Sequence, residues 1–185
     1  MQILLFLLDT LFFFLVAAGL LRAWMNHLRI PMWAQPGRFV MAITDWVVAP
    51  VRRILPKAMA QGRVDWGSLM AVCLLALAYG GIWVSLAFGV ASTSASATAM
   101  MLAVPVLALK MVLRTLLQGL MVLLLVYAVL SWVQPQSPVL ATLDKLCGPL
   151  LRPVRRIVPT VGGVDLSVLV LIVMLQVGLM LLAQI

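Results

Sequence analysis

The sequence predicts an all-α integral membrane protein whose four transmembrane helices form two tandem helical hairpins. Two observations predict this class: long apolar segments, and a basic motif that recurs between them. Hydrophobic residues make up 65 % of the 185 residues, charged residues only 10 %, and the mean hydropathy is +1.18. Soluble domains are about 45–50 % apolar and about 25 % charged, so this composition excludes an ordinary soluble protein.

Four apolar segments have about the 20 residues needed to cross a hydrocarbon core. The first runs from about Ile3 to Leu21, the second from about Leu69 to Val90, and the fourth from Leu166 to the end of the sequence. The third span is placed at 113–132. Residues 100–110 are interpreted as an interfacial segment that precedes it.

An internal repeat organises the chain. Residues 50–56 read Pro-Val-Arg-Arg-Ile-Leu-Pro and residues 153–159 read Pro-Val-Arg-Arg-Ile-Val-Pro, which are identical at six of seven positions. Each motif lies in the loop between two spans, so the chain is predicted to contain two copies of span, basic loop and span. The predicted units are a first repeat at 1–90, a linker and interfacial segment at 91–112, and a second repeat at 113–185.

Each loop is also predicted to contain an interfacial amphipathic helix. Apolar residues recur at spacings of three and four over 38–48 in the first loop and over 138–150 in the second. Helices of this kind with basic flanks lie in the headgroup plane of a bilayer.

The distribution of positive charge predicts the orientation. Residues 22–65 contain seven Lys and Arg and residues 133–164 contain four, whereas 91–114 contain two. Positive charge favours the cytoplasmic side. We therefore expect both loops in the cytoplasm and both termini outside, in the inner membrane of a bacterium.

The composition argues against an enzyme and against a bound metal or cofactor. All five acidic residues are aspartates, His27 is the only histidine, and Cys73 and Cys147 are far apart. A metal cage or a catalytic triad needs several such groups at one point. Both cysteines are interpreted as reduced packing residues, and His27 as a polar loop residue rather than a haem ligand.

The segment from Cys147 to Pro159, followed by Gly-Gly-Val-Asp-Leu-Ser at 162–167, resembles the YggT family of small bacterial membrane proteins, which has plant and cyanobacterial relatives. The N-terminal copy is similar but has Val48-Ala49 where a Leu-Arg pair is expected. The resemblance implies the fold more firmly than the function. It links the chain by analogy to osmotic stress, to division-associated gene neighbourhoods and, in chloroplasts, to assembly of a b-type cytochrome, with no enzyme activity.

The repeated motif has two interpretations that the sequence leaves open. Its arginines either set the topology or dock a lipid headgroup or a partner protein from a rigid, proline-flanked segment. The candidate docking residues are Arg52, Arg53, Arg152, Arg155 and Arg156, and the motif prolines are Pro50, Pro56, Pro149, Pro153 and Pro159. Asp65 and Asp165, which open the next spans, are expected to cap those helices, to pair with the arginine motif, or both.

Within the spans, the sequence offers polar and small residues for helix contacts. Asp9, Gln118 and Gln176 are interpreted as interhelical hydrogen-bonding residues rather than as an ion pathway. Small residues at spacings of three and four in the second span indicate either a close helix contact or a helix that is generally rich in small residues. This stripe consists of Ala78, Gly81, Ser85 and Gly89, while Ala76, Gly80 and Ala87 form a second small patch on the opposite side.

These features predict a non-enzymatic scaffold or assembly factor whose basic face engages lipid headgroups or partner proteins. A homo-oligomer is compatible with the pattern, and nucleic acid is not an expected partner. The alternative is a small channel or transporter involved in osmotic or ionic stress. A pore needs a polar lining, which the few intramembrane polar residues do not supply within one copy.

Overall fold

The computed structural model describes residues 2–32, 37–54, 65–91, 97–158 and 165–184, without the side chains of 87–100. These parts of the chain form six α-helices and no strands. The helices are α1 (Gln2–His27), α2 (Gly37–Ile54), α3 (Trp66–Ala91), α4 (Ala97–Val133), α5 (Pro138–Arg155) and α6 (Leu166–Gln184). Four of them, α1, α3, α4 and α6, are long and apolar enough to cross a membrane.

The predicted all-helical class with four spans is confirmed. In hydrocarbon, each backbone N–H and C=O must find a partner within the protein, and a helix satisfies them along its own axis. Large apolar side chains such as Phe14, Val129 and Met180 remain exposed along the outer sides of the long helices. Those sides therefore suit contact with lipid.

The third span is longer than the sequence suggested. Helix α4 is continuous over 37 residues, which corresponds to about 55 Å, and Pro105 lies within it. The segment predicted to be interfacial at 100–110 is therefore part of the same helix as the third span, since α4 runs without a break from residue 97 to residue 133. Lipid-embedded helices tolerate proline where neighbouring groups satisfy the freed carbonyl, which explains why Pro105 did not mark a boundary.

The two repeats have matching architectures. Helix α2 packs on α1 and α3, the spans of its own repeat, and α5 packs on α4 and α6 in the same way. The repeats meet chiefly where α4 packs on α3 and α1. Each loop therefore contains a helix held against both spans that it connects.

The C-terminal end of α1, in the first repeat, packs on α5 of the second repeat. The N–H of Ile30 donates to the carbonyl of Met25 at 3.0 Å, and Arg29 takes the left-handed conformation with φ 54°. This geometry closes the end of α1 as a Schellman motif. Met25 and Ile30 then pack with Leu143 and Leu146 of α5. The indole Nε1 of Trp24 donates to the carbonyl of Leu146 at 3.2 Å.

Candidate functional site

The first loop helix is fixed to the bundle by a buried arginine. Arg22, only 6 % exposed at the end of α1, donates through Nη1 to Thr44 Oγ1 and to Asp45 Oδ1, both at 2.7 Å. A buried guanidinium without such partners would be costly. Val40 and Val48 are buried on the same side of α2 as Thr44. The polar contact of Arg22 and the apolar packing together therefore fix which face of α2 lies against the bundle.

The first arginine of the first motif pairs with the aspartate that opens α3. Arg52 Nη2 donates to Asp65 Oδ2 at 2.7 Å. Asp65 also accepts from the Ser68 N–H at 3.1 Å and from the Ser68 hydroxyl at 2.8 Å, as an N-cap does. Gly67 leaves room for the arginine, because a Cβ there would lie 2.6 Å from Cγ of Arg52. Both roles considered for Asp65, cap and ion pair, occur together.

Burial and hydrogen bonding act in opposite directions on Asp65. Burial disfavours the carboxylate and would raise its pKa, but the hydrogen bonds from Arg52 and Ser68 outweigh burial. The pKa of Asp65 is therefore lowered from its ordinary value. At neutral pH the Asp65 side chain is therefore a carboxylate.

The second motif forms the equivalent pair. Arg155 donates through Nε to Asp165 Oδ2 at 2.8 Å, and its Nη2 lies 2.6 Å from the same oxygen. Asp165 also accepts from the Ser167 N–H at 3.1 Å at the start of α6. Burial would lower the pKa of Arg155, but its hydrogen bonds to Asp165 and Tyr127 outweigh burial and raise it. The second loop helix is thus held to the next span in the same way as the first.

A tyrosine extends the second pair into a wider hydrogen-bond network. Arg155 Nη2 donates to the Tyr127 hydroxyl at 3.1 Å, and that hydroxyl donates to Asp144 Oδ1 at 3.1 Å. Tyr127 lies on α4 and Asp144 on α5. The network therefore links three helices of the second repeat. Sequence reasoning missed Tyr127, because a single tyrosine within an apolar span carries no spacing signal.

The remaining motif arginines are exposed. Arg53, Arg152 and Arg156 form no salt bridge within the described parts of the chain. Arg53 precedes Ile54, which is 84 % exposed, and Arg156 precedes Ile157, which is 83 % exposed. The two arginines of each motif are therefore not equivalent: the first is bound by an aspartate, and the second faces outward beside an exposed isoleucine.

The motif prolines lie inside helices where they are described. Pro50 lies within α2, and Pro149 and Pro153 lie within α5. All three side chains are exposed. Pro56 and Pro159 lie outside the described residues.

The small-residue stripe predicted in the second span does not contact another helix of the chain over its described part. Ala78 and Ser85 are exposed, and a Cβ on Gly81 would meet open space. The surroundings of Gly89 are outside the description. The opposite patch makes the contact, since a Cβ on Gly80 would lie 2.7 Å from the Val104 carbonyl oxygen of α4. Spacing alone could not choose between two small faces of the same helix.

The intramembrane polar residues separate into two kinds. Asp9 accepts from the Tyr79 hydroxyl at 2.8 Å and lies 3.5 Å from Arg114 Nη1, and Gln118 lines a cavity beside this pair. Gln176 is exposed on α6. Sequence reasoning anticipated an interhelical hydrogen bond for Asp9 but missed Tyr79 and Arg114 as its partners.

The described residues contain no group of three or more His, Cys, Asp or Glu that could hold a metal ion. His27 is exposed and stacks on Trp24 with ring centroids 6.0 Å apart. Cys147 is buried against α4 and α6, and burial raises the pKa of its thiol to about 12. Near its loops, the described part of the chain contains two similar Arg–Asp pairs, one in each repeat.

Four membrane-spanning helices, two loop helices and a duplicated Arg–Asp pair define a small multi-pass membrane protein built from two tandem hairpins. Family comparison is consistent with this class, because the model described as CCB3/YggT matches residues 1–86 and 106–185. The chain belongs to the CCB3/YggT family. The break between the two matched segments falls between the repeats.

Bacterial relatives match along most of the chain. The Escherichia coli K12 protein named as uncharacterized protein YggT is 32 % identical over 180 residues, covering 96 % of this chain and 87 % of its own length. A Vibrio alginolyticus protein, named as an uncharacterized protein in the proC 3′ region, is 33 % identical over 172 residues, covering 92 % and 88 %. A Haemophilus influenzae protein is 27 % identical over 157 residues, covering 84 % and 78 %. No solved structure matches the chain significantly.

Proposed function

We propose that this protein is a non-enzymatic scaffold or assembly factor of the bacterial inner membrane, whose basic cytoplasmic face engages lipid headgroups or partner proteins. One observation carries the proposal. In both repeats the first motif arginine is locked to an aspartate, while the second faces outward next to an exposed isoleucine. A fixed cation beside a fixed apolar side chain suits docking to an anionic, partly apolar surface.

The locked arginines make that surface rigid. Arg52 and Arg155 bind the ends of α2 and α5 to the first turns of α3 and α6. Because Arg53 and Arg156 directly follow them, their positions are fixed relative to the bundle. A preorganised surface loses less conformational entropy on binding than a flexible basic loop.

The first loop helix supports an interfacial position. Phe39 and Trp46 are each 64 % exposed on α2, whereas Val40, Val48 and Val51 of the same helix pack on the bundle. Tryptophan is enriched at membrane–water interfaces. We therefore place α2 at the headgroup level, with Phe39 and Trp46 directed toward the acyl boundary and Arg53 toward phosphate.

The second candidate is a small channel or transporter that acts in osmotic or ionic stress. The observation that favours it is the cluster of Asp9, Tyr79 and Arg114, which lies beside two cavities. Asp9 and Gln118 line one of these cavities, whereas Gln176 faces out of the bundle. A continuous polar path would therefore need groups from a second copy of the chain.

Photo-crosslinking in native membranes tests the scaffold. A photoreactive side chain at Ile157 or Ile54 should give discrete protein or lipid adducts. These adducts should weaken when Arg53 and Arg156 are both changed to Gln. The same side chain at Leu169, which is exposed on α6, is the control and should give adducts that do not depend on these arginines.

Adducts at Ile157 and Ile54 that persist unchanged in the Arg53→Gln, Arg156→Gln variant would contradict the scaffold proposal. Ion or osmolyte flux through proteoliposomes that hold the pure protein would favour the channel instead. Replacement of Asp9 by Asn, which is far from the motif, should alter such flux and leave the adducts at Ile157 intact.

A further inference from the structure

A second concentration of charge lies inside the bundle, away from the arginine motifs. Asp9 of α1, Tyr79 of α3 and Arg114 of α4 meet there, with Tyr79 donating to Asp9 at 2.8 Å. Two cavities, of about 320 and 420 Å³, flank the cluster, and Asp9 and Arg114 line both. The Arg114 side chain is 51 % exposed and that of Asp9 37 %. The cluster is therefore open to the surroundings of the bundle.

The cluster has more positive than negative charge. Lys110 lies one helical turn before Arg114 and lines the larger cavity. Among the described residues Lys110 forms no salt bridge. The remaining four aspartates contact Arg22, Arg52, Tyr127 and Arg155 at the loop end. The cluster thus contains two cations and the single carboxylate of Asp9.

Cations that lack a counterion and lie among apolar side chains favour the binding of an anion from outside the protein. Phe6, Trp83 and Leu107 line the same cavity as Lys110. Charge in such surroundings is costly unless an opposite charge pairs with it. The Arg114–Asp9 distance of 3.5 Å exceeds the roughly 2.7–2.9 Å of a tight charge-assisted hydrogen bond. The guanidinium therefore retains donors for a further acceptor.

The depth of the cluster indicates where the anion comes from. Lys110 precedes Trp132, at the loop end of α4, by 22 residues, which is about 33 Å along a helix. A hydrocarbon core is about 30 Å thick. With Trp132 at one interface, Lys110 therefore reaches the headgroups of the other leaflet. Trp83, in the wall of the same cavity, suits that level too.

We propose that Lys110 and Arg114 bind the phosphate of an anionic phospholipid from the leaflet on the side of the chain termini. Arg114 supplies paired donors to the phosphate oxygens, and Lys110 adds a point charge. Asp9, held by Tyr79, lies to one side of the guanidinium and competes with the phosphate for its charge. Phe6 and Leu107 offer an apolar wall to an acyl chain. This site is separate from the basic loop face and does not depend on the function proposed for it.

Native mass spectrometry of the full chain, released from bilayers that contain phosphatidylglycerol and phosphatidylcholine, tests this site. We expect phosphatidylglycerol to be retained preferentially. Lys110→Gln should weaken that retention about tenfold, as the loss of one charge-assisted contact predicts. Lys145→Gln on α5 is the matched control, because it changes the net charge equally at an exposed position of the other end. It should leave most of the retention intact.

Asp9→Asn gives a result of opposite sign. It keeps an oxygen for the Tyr79 hydroxyl but removes the competing negative charge, so retention of phosphatidylglycerol should rise. Equal losses in Lys110→Gln and Lys145→Gln would overturn the proposal, as would a fall in retention with Asp9→Asn. Displacement of the lipid by millimolar inorganic phosphate would also overturn it, since the site would then recognise a free anion rather than a lipid.

Discussion

Arg155 and Asp165 form the same contact in the second repeat that Arg52 and Asp65 form in the first. The closest N···O distances are 2.6 Å and 2.7 Å. In both repeats the aspartate also accepts a backbone N–H in the first turn of the following span. The first arginine of the repeated motif therefore has a structural role, because its ion pair joins the loop helix to the next span. The second arginine of the motif remains available for binding.

Substitutions of Asp65 should distinguish its two contacts, which are the ion pair with Arg52 and the N-cap of α3. Asp65→Asn keeps a good N-cap but removes the ion pair, whereas Asp65→Ala removes both. We expect a loss of about 1–2 kcal/mol for Asn and about 1 kcal/mol more for Ala, measured as the free energy of unfolding in detergent. Arg53→Gln, on the same loop helix, is the control and should stay within about 0.5 kcal/mol of the native protein. Equal stability of the Asn and Ala variants would show that capping by Asp65 does not stabilise the protein.

The same carboxylate should make stability depend on pH. Because the pKa of Asp65 is lowered in the folded protein, the unfolded chain binds its proton more readily. Its contribution is fully present above an unfolded pKa of about 3.9 and is lost as the pH falls through the folded pKa. Thermal unfolding in detergent from pH 6 to pH 3 should show this loss. Asp65→Asn should show a smaller loss, and identical profiles for both proteins would contradict the prediction.

The local part of the site could be predicted from the sequence, but the long-range part could not. The motif and the aspartates are close along the chain, so the Arg52–Asp65 pair was among the alternatives. Tyr79 lies 70 residues from Asp9, and no spacing rule connects them. The choice of the Gly80 face over the Gly81 face depends on where α4 packs, which only the tertiary structure supplies.

Gly80 and Gly81 form a matched pair for testing that helix contact. A Cβ on Gly80 would lie 2.7 Å from the backbone oxygen of Val104, whereas one on Gly81 would meet open space. Gly80→Ala should therefore destabilise the protein by about 1–3 kcal/mol through overpacking. Gly81→Ala should be neutral or slightly stabilising, since alanine favours helix over glycine. Chemical denaturation in mixed micelles measures both, and a larger loss for Gly81→Ala would place the α3–α4 contact on the wrong face.

Cys147 should be inert toward thiol reagents while the protein is folded. The side chain is fully buried, and burial raises the pKa of its thiol to about 12. An ordinary thiol has a pKa of about 8.5, so the thiolate fraction at pH 8 falls by a factor of roughly two thousand. In a Cys73→Ala background, alkylation of Cys147 should therefore require denaturant. A cysteine at the exposed Arg152 position, in a Cys73→Ala, Cys147→Ala background, is the control and should react readily. Rapid reaction of Cys147 in the folded protein would mean that α5 detaches from α4 and α6.

The orientation of the bundle is open to a direct test. Arg152 lies on a loop helix and Gln184 at the end of α6, so they belong to opposite ends of the last span. The loop regions hold eleven of the thirteen Lys and Arg residues, which favours the cytoplasm for that end. With both native cysteines replaced by alanine, a cysteine at Gln184 should react with an impermeant maleimide in intact cells. A cysteine at Arg152 should react only after the cells are opened, and labelling of Arg152→Cys alone in intact cells would reverse the assignment and move the basic face outside.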